Sequence, residues 1–293
     1  MTKHYILQAL NADGNAIYID DVPNGKNCAC TCAECGGKLI AKNKGRIKIH
    51  HFAHESGNDS IRCSQTALHL LAKEIIAEEK KIPIPRNGQI DIHQMDSIEQ
   101  EKFMGDIIPD LYVTCESRPY IVEILVTHEV DEEKLQKIKQ HKISAVEIDL
   151  SDKNFESKED VKLAIFNTQN IKILYDDDER LISERKEILL NYGLRLKVER
   201  GGIVGCPYAR AYVPKEFCKE CVFCCKENAE NIRCGIVLPV KPELKNPTNI
   251  LVNQNKVMFP SEEKQYNESH FGWKMRQAVE HGIMAQMLNS RRW

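Results

Sequence analysis

No stretch of the 293-residue sequence approaches the roughly 20 consecutive apolar residues that a membrane-spanning helix needs, so no membrane helix is expected within it. The opening MTKHYILQAL has a short apolar patch that gives way to Asn11-Ala12-Asp13-Gly14. It lacks the apolar region and small-residue cleavage site of a signal peptide, so the expected location is cytoplasmic. An excess of charge of either sign is missing too: the formal net charge is −2. Any surface for a polyanion must then be local. There is no internal repeat and no low-complexity tract. With 42% hydrophobic and 29% charged residues, the chain can build a core and is not globally disordered.

Cysteine is what the sequence has in excess. Its 12 cysteines fall into two groups, Cys28, Cys30, Cys32, Cys35 and Cys63, then Cys206, Cys218, Cys221, Cys224, Cys225 and Cys234, with Cys115 alone and read as a small core residue. In a reducing compartment, clusters with two-residue gaps favour metal over disulfides. Cys32-x-x-Cys35 followed by His51-x-x-His54 has the ligand types of a structural zinc site, and Gly36-Gly37 suits a tight knuckle. Cys63 competes for one histidine position, while Cys28 and Cys30 read as spare. Cys206, Cys218, Cys221 and Cys234 read as a second zinc site, a ribbon of four thiolates, with Cys224 and Cys225 as rivals and Arg210, Lys215 and Lys219 nearby.

The pattern of elements predicts a hairpin over residues 4–20 around Asp13-Gly14 and a helix over 66–80 capped by Thr66 and ended by Pro83 and Pro85. A strand is expected over 103–113 with a kink at Pro109, then a turn at 115–118 and a buried strand over 119–127. Asp131 caps a further helix, followed by a strand at 145–150, a helix near 157–167 and a strand at 171–175. The expected fold class is α/β, a mixed sheet flanked by helices. The expected divisions are 1–65 (hairpin and zinc finger), 66–176 (α/β core), 177–200 (helical connector), 201–240 (zinc ribbon) and 241–293 (tail, with a helix near 273–288). Two clusters without intervening excess acid, Lys38, Lys42, Lys44, Arg46 and Lys48, and Lys134, Lys137, Lys139 and Lys142, read either as solvated faces or as local cationic surfaces.

One residue breaks the pattern. Glu123 sits within Tyr120-Ile121-Val122-Glu123-Ile124-Leu125-Val126, where an ionised, unpaired carboxylate costs several kcal/mol. Asp110 lies one hairpin away, and if the strands pair through the 115–118 turn both carboxylates reach one edge. Two oxygen ligands at a cleft suit Mg²⁺ or Mn²⁺. The plainer alternatives are an edge strand, or a salt bridge from Glu123 to a lysine on the next helix.

Ile108-Pro109-Asp110, followed by Val122-Glu123-Ile124, resembles the Pro-Asp…(Asp/Glu)-x-Lys signature of restriction-type nucleases. Residues 1–175 are more specifically similar to the CoiA-like competence protein family, on the early hairpin, Cys32-x-x-Cys35, His51-Phe52-Ala53-His54, Leu68-His69, Lys73, the Asp110 and Glu123 region, and Val126-Thr127-His128 with Asp131 and Lys134. The resemblance implies a restriction-endonuclease-like core that hydrolyses DNA phosphodiesters with Mg²⁺ or Mn²⁺, in competence, recombination or defence. Asp110 and Glu123 would hold the ion, and His69 and Lys73 would line the cleft from their helix, the plainer reading of those two being the polar edge of a half-buried helix. His128, beside the proposed metal strand, reads either as a satisfied core histidine or as a cleft residue. The chain departs from the signature at Leu125, where the superfamily has lysine; Lys134 is the candidate replacement. Glu74 does not match the superfamily's helix glutamate. Strand alternation predicts Glu123, Leu125 and Thr127 on one face and His128 on the other. The readings that compete with a nuclease are a DNA- or RNA-binding adaptor with a lost active site, and a regulator sensing metal or redox state.

Overall fold

A computed structural model of the chain describes residues 5–57, 60–151, 153–206, 211–219, 221, 224–227, 230–234, 251–253 and 256–258. The chain divides into two compact units, Met1–Asp176 and Asp177–Trp293.

The first unit opens with the hairpin β1 (Gln8–Leu10) and β2 (Ala16–Tyr18), turned at Gly14. A second hairpin follows, β3 (Leu39–Lys42) and β4 (His51–His54). The long helix α1 spans Ile61–Glu79. It starts five residues earlier than the sequence predicts, because Ser60 and not Thr66 is the cap: Ser60 Oγ accepts from the Cys63 N–H. The Thr66 hydroxyl instead donates to Glu34 at 2.8 Å. The expected division at 65/66 thus falls inside one helix. Leu68, Leu71, Ala72, Ile75 and Ile76 are all buried, and each large side chain contributes about 1.5–3 kcal/mol on burial.

Past α1 the chain does not stop at the prolines. Strand β5 (Lys81–Arg86) contains both Pro83 and Pro85 and pairs only with β6 (Gln89–Gln94). Proline is tolerated there because the other edge needs no donor. Asn87 and Gly88, both at positive φ, form the two-residue connection.

The main sheet has the order β11-β10-β9-β8-β7, with β7 (Ser97–Gln100), β8 (Leu111–Cys115), β9 (Arg118–Leu125), β10 (Ser144–Asp149) and β11 (Ile171–Tyr175). Strand β10 runs parallel to β9, and every other neighbouring pair is antiparallel. The parallel step crosses through helix α2 (Glu132–His141), capped by Asp131, whose side chain accepts from the Lys134 N–H. Helix α3 (Lys158–Ile165), capped by Ser157, precedes β11. The strand expected over 103–113 begins only at Leu111; residues 101–110 are a loop, closed by Glu101 N–H donating to the Asp110 carbonyl at 3.1 Å.

The second unit begins with helix α4 (Asp178–Tyr192). The connector expected to be helical over 177–200 instead turns into strand β12 (Leu194–Glu199). Its sheet has the order β14-β13-β12-β16-β15, all antiparallel, from β13 (Ile203–Cys206), β14 (Ala211–Pro214), β15 (Cys224–Glu227) and β16 (Asn231–Cys234). A short helix α5 (Glu216–Lys219) and the pair β17 (Leu251–Asn253) and β18 (Lys256–Met258) complete the described strands and α-helices. The helix expected near 273–288 and Arg210 lie outside the described residues. No described helix is long and apolar enough to cross a membrane.

Candidate functional site

Asp110 ends the 101–110 loop and Glu123 lies on β9, and β8 pairs β9 with Leu111 opposite Val122. This register brings the two carboxylates together. Asp110 Oδ2 accepts the Ile124 N–H at 2.8 Å, which ties Asp110 to β9 next to Glu123. Their neighbours come from both flanking helices. From α1, His69 Nε2 stands 2.9 Å from Asp110 Oδ2 and Lys73 Nζ 3.6 Å from Asp110 Oδ1. From α2, Lys134 Nζ stands 2.7 Å from Glu123 Oε1. Of the residues expected to do chemistry, all but His128 thus meet at one place.

The environments of the two acids push them apart. Glu123 is 4% exposed, and burial drives its carboxyl up to about 7, aided by the Asp110 charge and opposed by Lys134. Burial also works to raise Asp110, but the hydrogen bond and charge of His69, the Ile124 N–H and the charge of Lys73 outweigh it and hold Asp110 below the ordinary aspartate value. Lys73 is an ammonium only 2% exposed, satisfied by Glu101 Oε1 at 2.9 Å. Glu101 is a member of this network that no motif in the sequence marks.

His128 is placed differently from its expectation. Strand β9 ends at Leu125 and residues 126–128 form a bend, so alternation does not extend to them. Thr127 and His128 line one cleft of about 500 Å³ together with His69, Ile124, Val126, Glu34, Arg62, Gln65 and Thr66. His69 therefore touches both the cleft and Asp110. A second cleft, about 440 Å³, is lined by Ile108, Lys134 and Lys137, among others. Leu125 is buried and offers no polar atom. Glu74 turns away from the acids and accepts from the Gln8 side-chain amide.

Glu147 on β10 stands directly beside Glu123 in the parallel register and is 1% exposed. It accepts the Val130 N–H at 2.7 Å, which fastens the loop leading into α2, and so helps set Lys134 against Glu123.

A separate cluster lies at the start of α1. Cys32, Cys35, His54 and Cys63 each offer a ligand atom within 4.8 Å of all the others. Cys63 replaces the expected His51. In a strand, residues three apart face opposite sides, so His51 and His54 of β4 cannot serve one ion. His51 Nδ1 lies 2.9 Å from the Ile49 carbonyl and its ring packs at 5.1 Å on Tyr5. Three sulfurs and one imidazole at this spacing suit a tetrahedral metal ion. Gly37 shows how tightly they are drawn in: a Cβ there would lie 3.1 Å from the His54 ring and 3.2 Å from Cys35 Sγ. The Gly37 N–H and then His54 lower the Cys35 thiol to about 7, while burial raises Cys32 to about 11. Cys28 and Cys30 stay in the hydrophobic core of this region.

In the second unit Cys206, Cys218, Cys221, Cys224 and Cys234 are all buried in one small core with Val204, Val213 and Ile232. Burial pushes Cys218 up to about 12, and the other four sulfurs add to it. The side chain of Cys225 is outside the described residues.

Comparison with protein-family models, curated proteins and solved structures gives no significant match. Function is therefore read from this geometry.

Proposed function

We propose that the first unit is a restriction-endonuclease-like, metal-dependent nuclease that hydrolyses DNA phosphodiesters, as its resemblance to the CoiA-like competence proteins implies. The observation that carries this reading is the Asp110–Glu123 pair, brought together at the end of the β8–β9 ladder by the Ile124 N–H bond to Asp110, with His69 and Lys73 against Asp110, Lys134 against Glu123, and clefts lined by His69 and by Lys134. Asp110 and Glu123 are the residues that would hold Mg²⁺ or Mn²⁺; such an ion, when bound, stabilises the charge that develops on a phosphate and lowers the pKa of a bound water. Lys134 takes the part of the lysine missing at 125: its ammonium already reaches Glu123 and can move to a phosphate oxygen or water once Glu123 is otherwise neutralised. His69, at Asp110 Oδ2 and in the cleft wall, is positioned to exchange a proton with the substrate. His128, which lines the same cleft as His69, contacts the substrate there, and Lys73 helps hold Asp110 below its ordinary value and in place. The cluster of Cys32, Cys35, His54 and Cys63 holds a structural zinc ion, and the buried thiols of the second unit hold another.

Leu125 favours a second reading, a nucleic-acid-binding adaptor in which the acids only pair with their lysines and histidine. Cleavage of plasmid and single-stranded DNA with Mn²⁺ separates the two. Wild type cuts and Asp110→Ala does not under the nuclease reading. Retained binding without cutting by wild type supports the adaptor, and equal cutting by both proteins assigns the activity to a contaminant.

A further inference from the structure

The β3–β4 loop, residues 43–50, and the end of β3 before it carry a run of exposed cations. Lys42, Lys44, Arg46 and Lys48 are exposed, and none forms an ion pair with a described residue. In the other lysine cluster two of the four are paired, Lys134 with Glu123 and Lys137 with Glu133. At the tip, between Arg46 and Lys48, stands Ile47, whose side chain is 98% exposed, the most exposed of the large hydrophobic residues described. An isoleucine ringed by cations has no folding reason to be there.

The loop is held in shape. Asn43 Nδ2 donates to the Ile19 and Val22 carbonyls, both at 2.8 Å. His50 lies 2.5 Å from Asp20 and 2.9 Å from the Gly45 carbonyl, across the loop's own turn. Gly45 sits at φ +114°, a conformation that a side chain would strain. The loop's outgoing strand, β4, ends on the metal-ligand position His54. It is a braced finger presenting one apolar side chain amid cations.

We propose that this finger docks on duplex DNA, with Lys44, Arg46 and Lys48 on phosphates and Ile47 inserted as a wedge at a base step. Cations alone suit any polyanion; an apolar wedge flanked by cations matches the way duplexes are kinked and partly unstacked from the minor groove. A lone isoleucine buries too little hydrocarbon for stable seating in a bilayer. The choice of DNA over another polyanion rests on the nuclease reading, but the finger's contact is separable from catalysis.

The test uses the full chain in a divalent-free buffer that prevents cutting, with a 20-base-pair duplex bearing 2-aminopurine, read by anisotropy for binding and by fluorescence for unstacking. Changing Lys44, Arg46 and Lys48 together to Gln should weaken binding at least tenfold and reduce the salt slope of log K by about 2–3, at ~0.9 per phosphate contact. Ile47→Ala should keep that slope and lose the 2-aminopurine rise that wild type gives. Unchanged affinity and slope in the triple variant, or no Ile47-dependent fluorescence, overturns the proposal. So does loss on Ile47→Ala of binding to phosphatidylserine vesicles with the duplex signal untouched, which would assign the finger to a membrane. Circular dichroism melting of each variant guards against a folding defect. Duplex binding that behaves as proposed in a protein that never cuts DNA would retire the nuclease reading and leave the finger standing.

Discussion

At the residue scale the site is a balance of charges that no single side chain survives losing unnoticed. Glu123 is tolerable in β9 because the Lys134 ammonium reaches it. Lys134→Ala leaves that acid buried with one partner fewer. The expected cost is about 1–3 kcal/mol of stability at neutral pH, measured by urea unfolding, with Lys134→Arg recovering most of it. Because the change also removes the candidate phosphate contact, cleavage should fall about 100-fold in the alanine variant. His51→Ala, by contrast, touches no ligand of the cluster at the start of α1. Metal analysis of the purified chain should find the same zinc content as wild type in His51→Ala and less in Cys63→Ser and His54→Ala; loss of zinc in His51→Ala contradicts a ligand set of Cys32, Cys35, His54 and Cys63.

At the scale of elements, α1 ties the two sites together. Its first turn supplies Cys63 and its middle supplies His69 and Lys73, all on one rigid rod. Removing zinc with a chelator should therefore loosen the amides of the first two turns of α1, seen by hydrogen exchange, and lower cleavage even though no metal-cluster ligand touches Asp110. Unchanged exchange at residues 61–68 contradicts this coupling. Much of this element is legible in the sequence. The apolar spacing of Leu68, Leu71, Ala72, Ile75 and Ile76 announces the helix, and Ile121 to Leu125 announces a buried strand whose one acid needs an explanation. The β5–β6 hairpin is hidden because Pro83 and Pro85 look like terminators, although Asn87-Gly88 is the strongest short-range turn signal in the region. Spacing alone does not rank Cys63 above His51. What decides it is that β4 is a strand, so its two histidines face apart, whereas a helix turn would have put them together. Glu101 and Glu147 carry no local signal, since their roles depend on how the 101–110 loop closes and on the parallel register of β10 against β9.

For the whole molecule, the two acids make stability depend on pH in opposite senses. Glu123 is held at about 7 in the folded chain, so the native state binds its proton more tightly than the unfolded state does. Its stabilising contribution is full below about 4.5 and is lost as the pH climbs through about 7. Asp110, held below its usual value, contributes stability above that value and loses it as the pH falls through its lowered one. Metal-free protein should accordingly melt at lower temperature at pH 8 than at pH 6, and Glu123→Gln should flatten that decline. A decline of the same size in Glu123→Gln would place its origin elsewhere.

Whether Asp110 and Glu123 share a metal ion is tested most directly by Mn²⁺ binding to the zinc-loaded chain, followed by electron paramagnetic resonance of the free ion. Wild type should show a Mn²⁺ site that disappears in both Asp110→Asn and Glu123→Gln. Wild-type protein that leaves all the Mn²⁺ free, or variants that bind it as wild type does, would contradict the claim that these two carboxylates hold one ion.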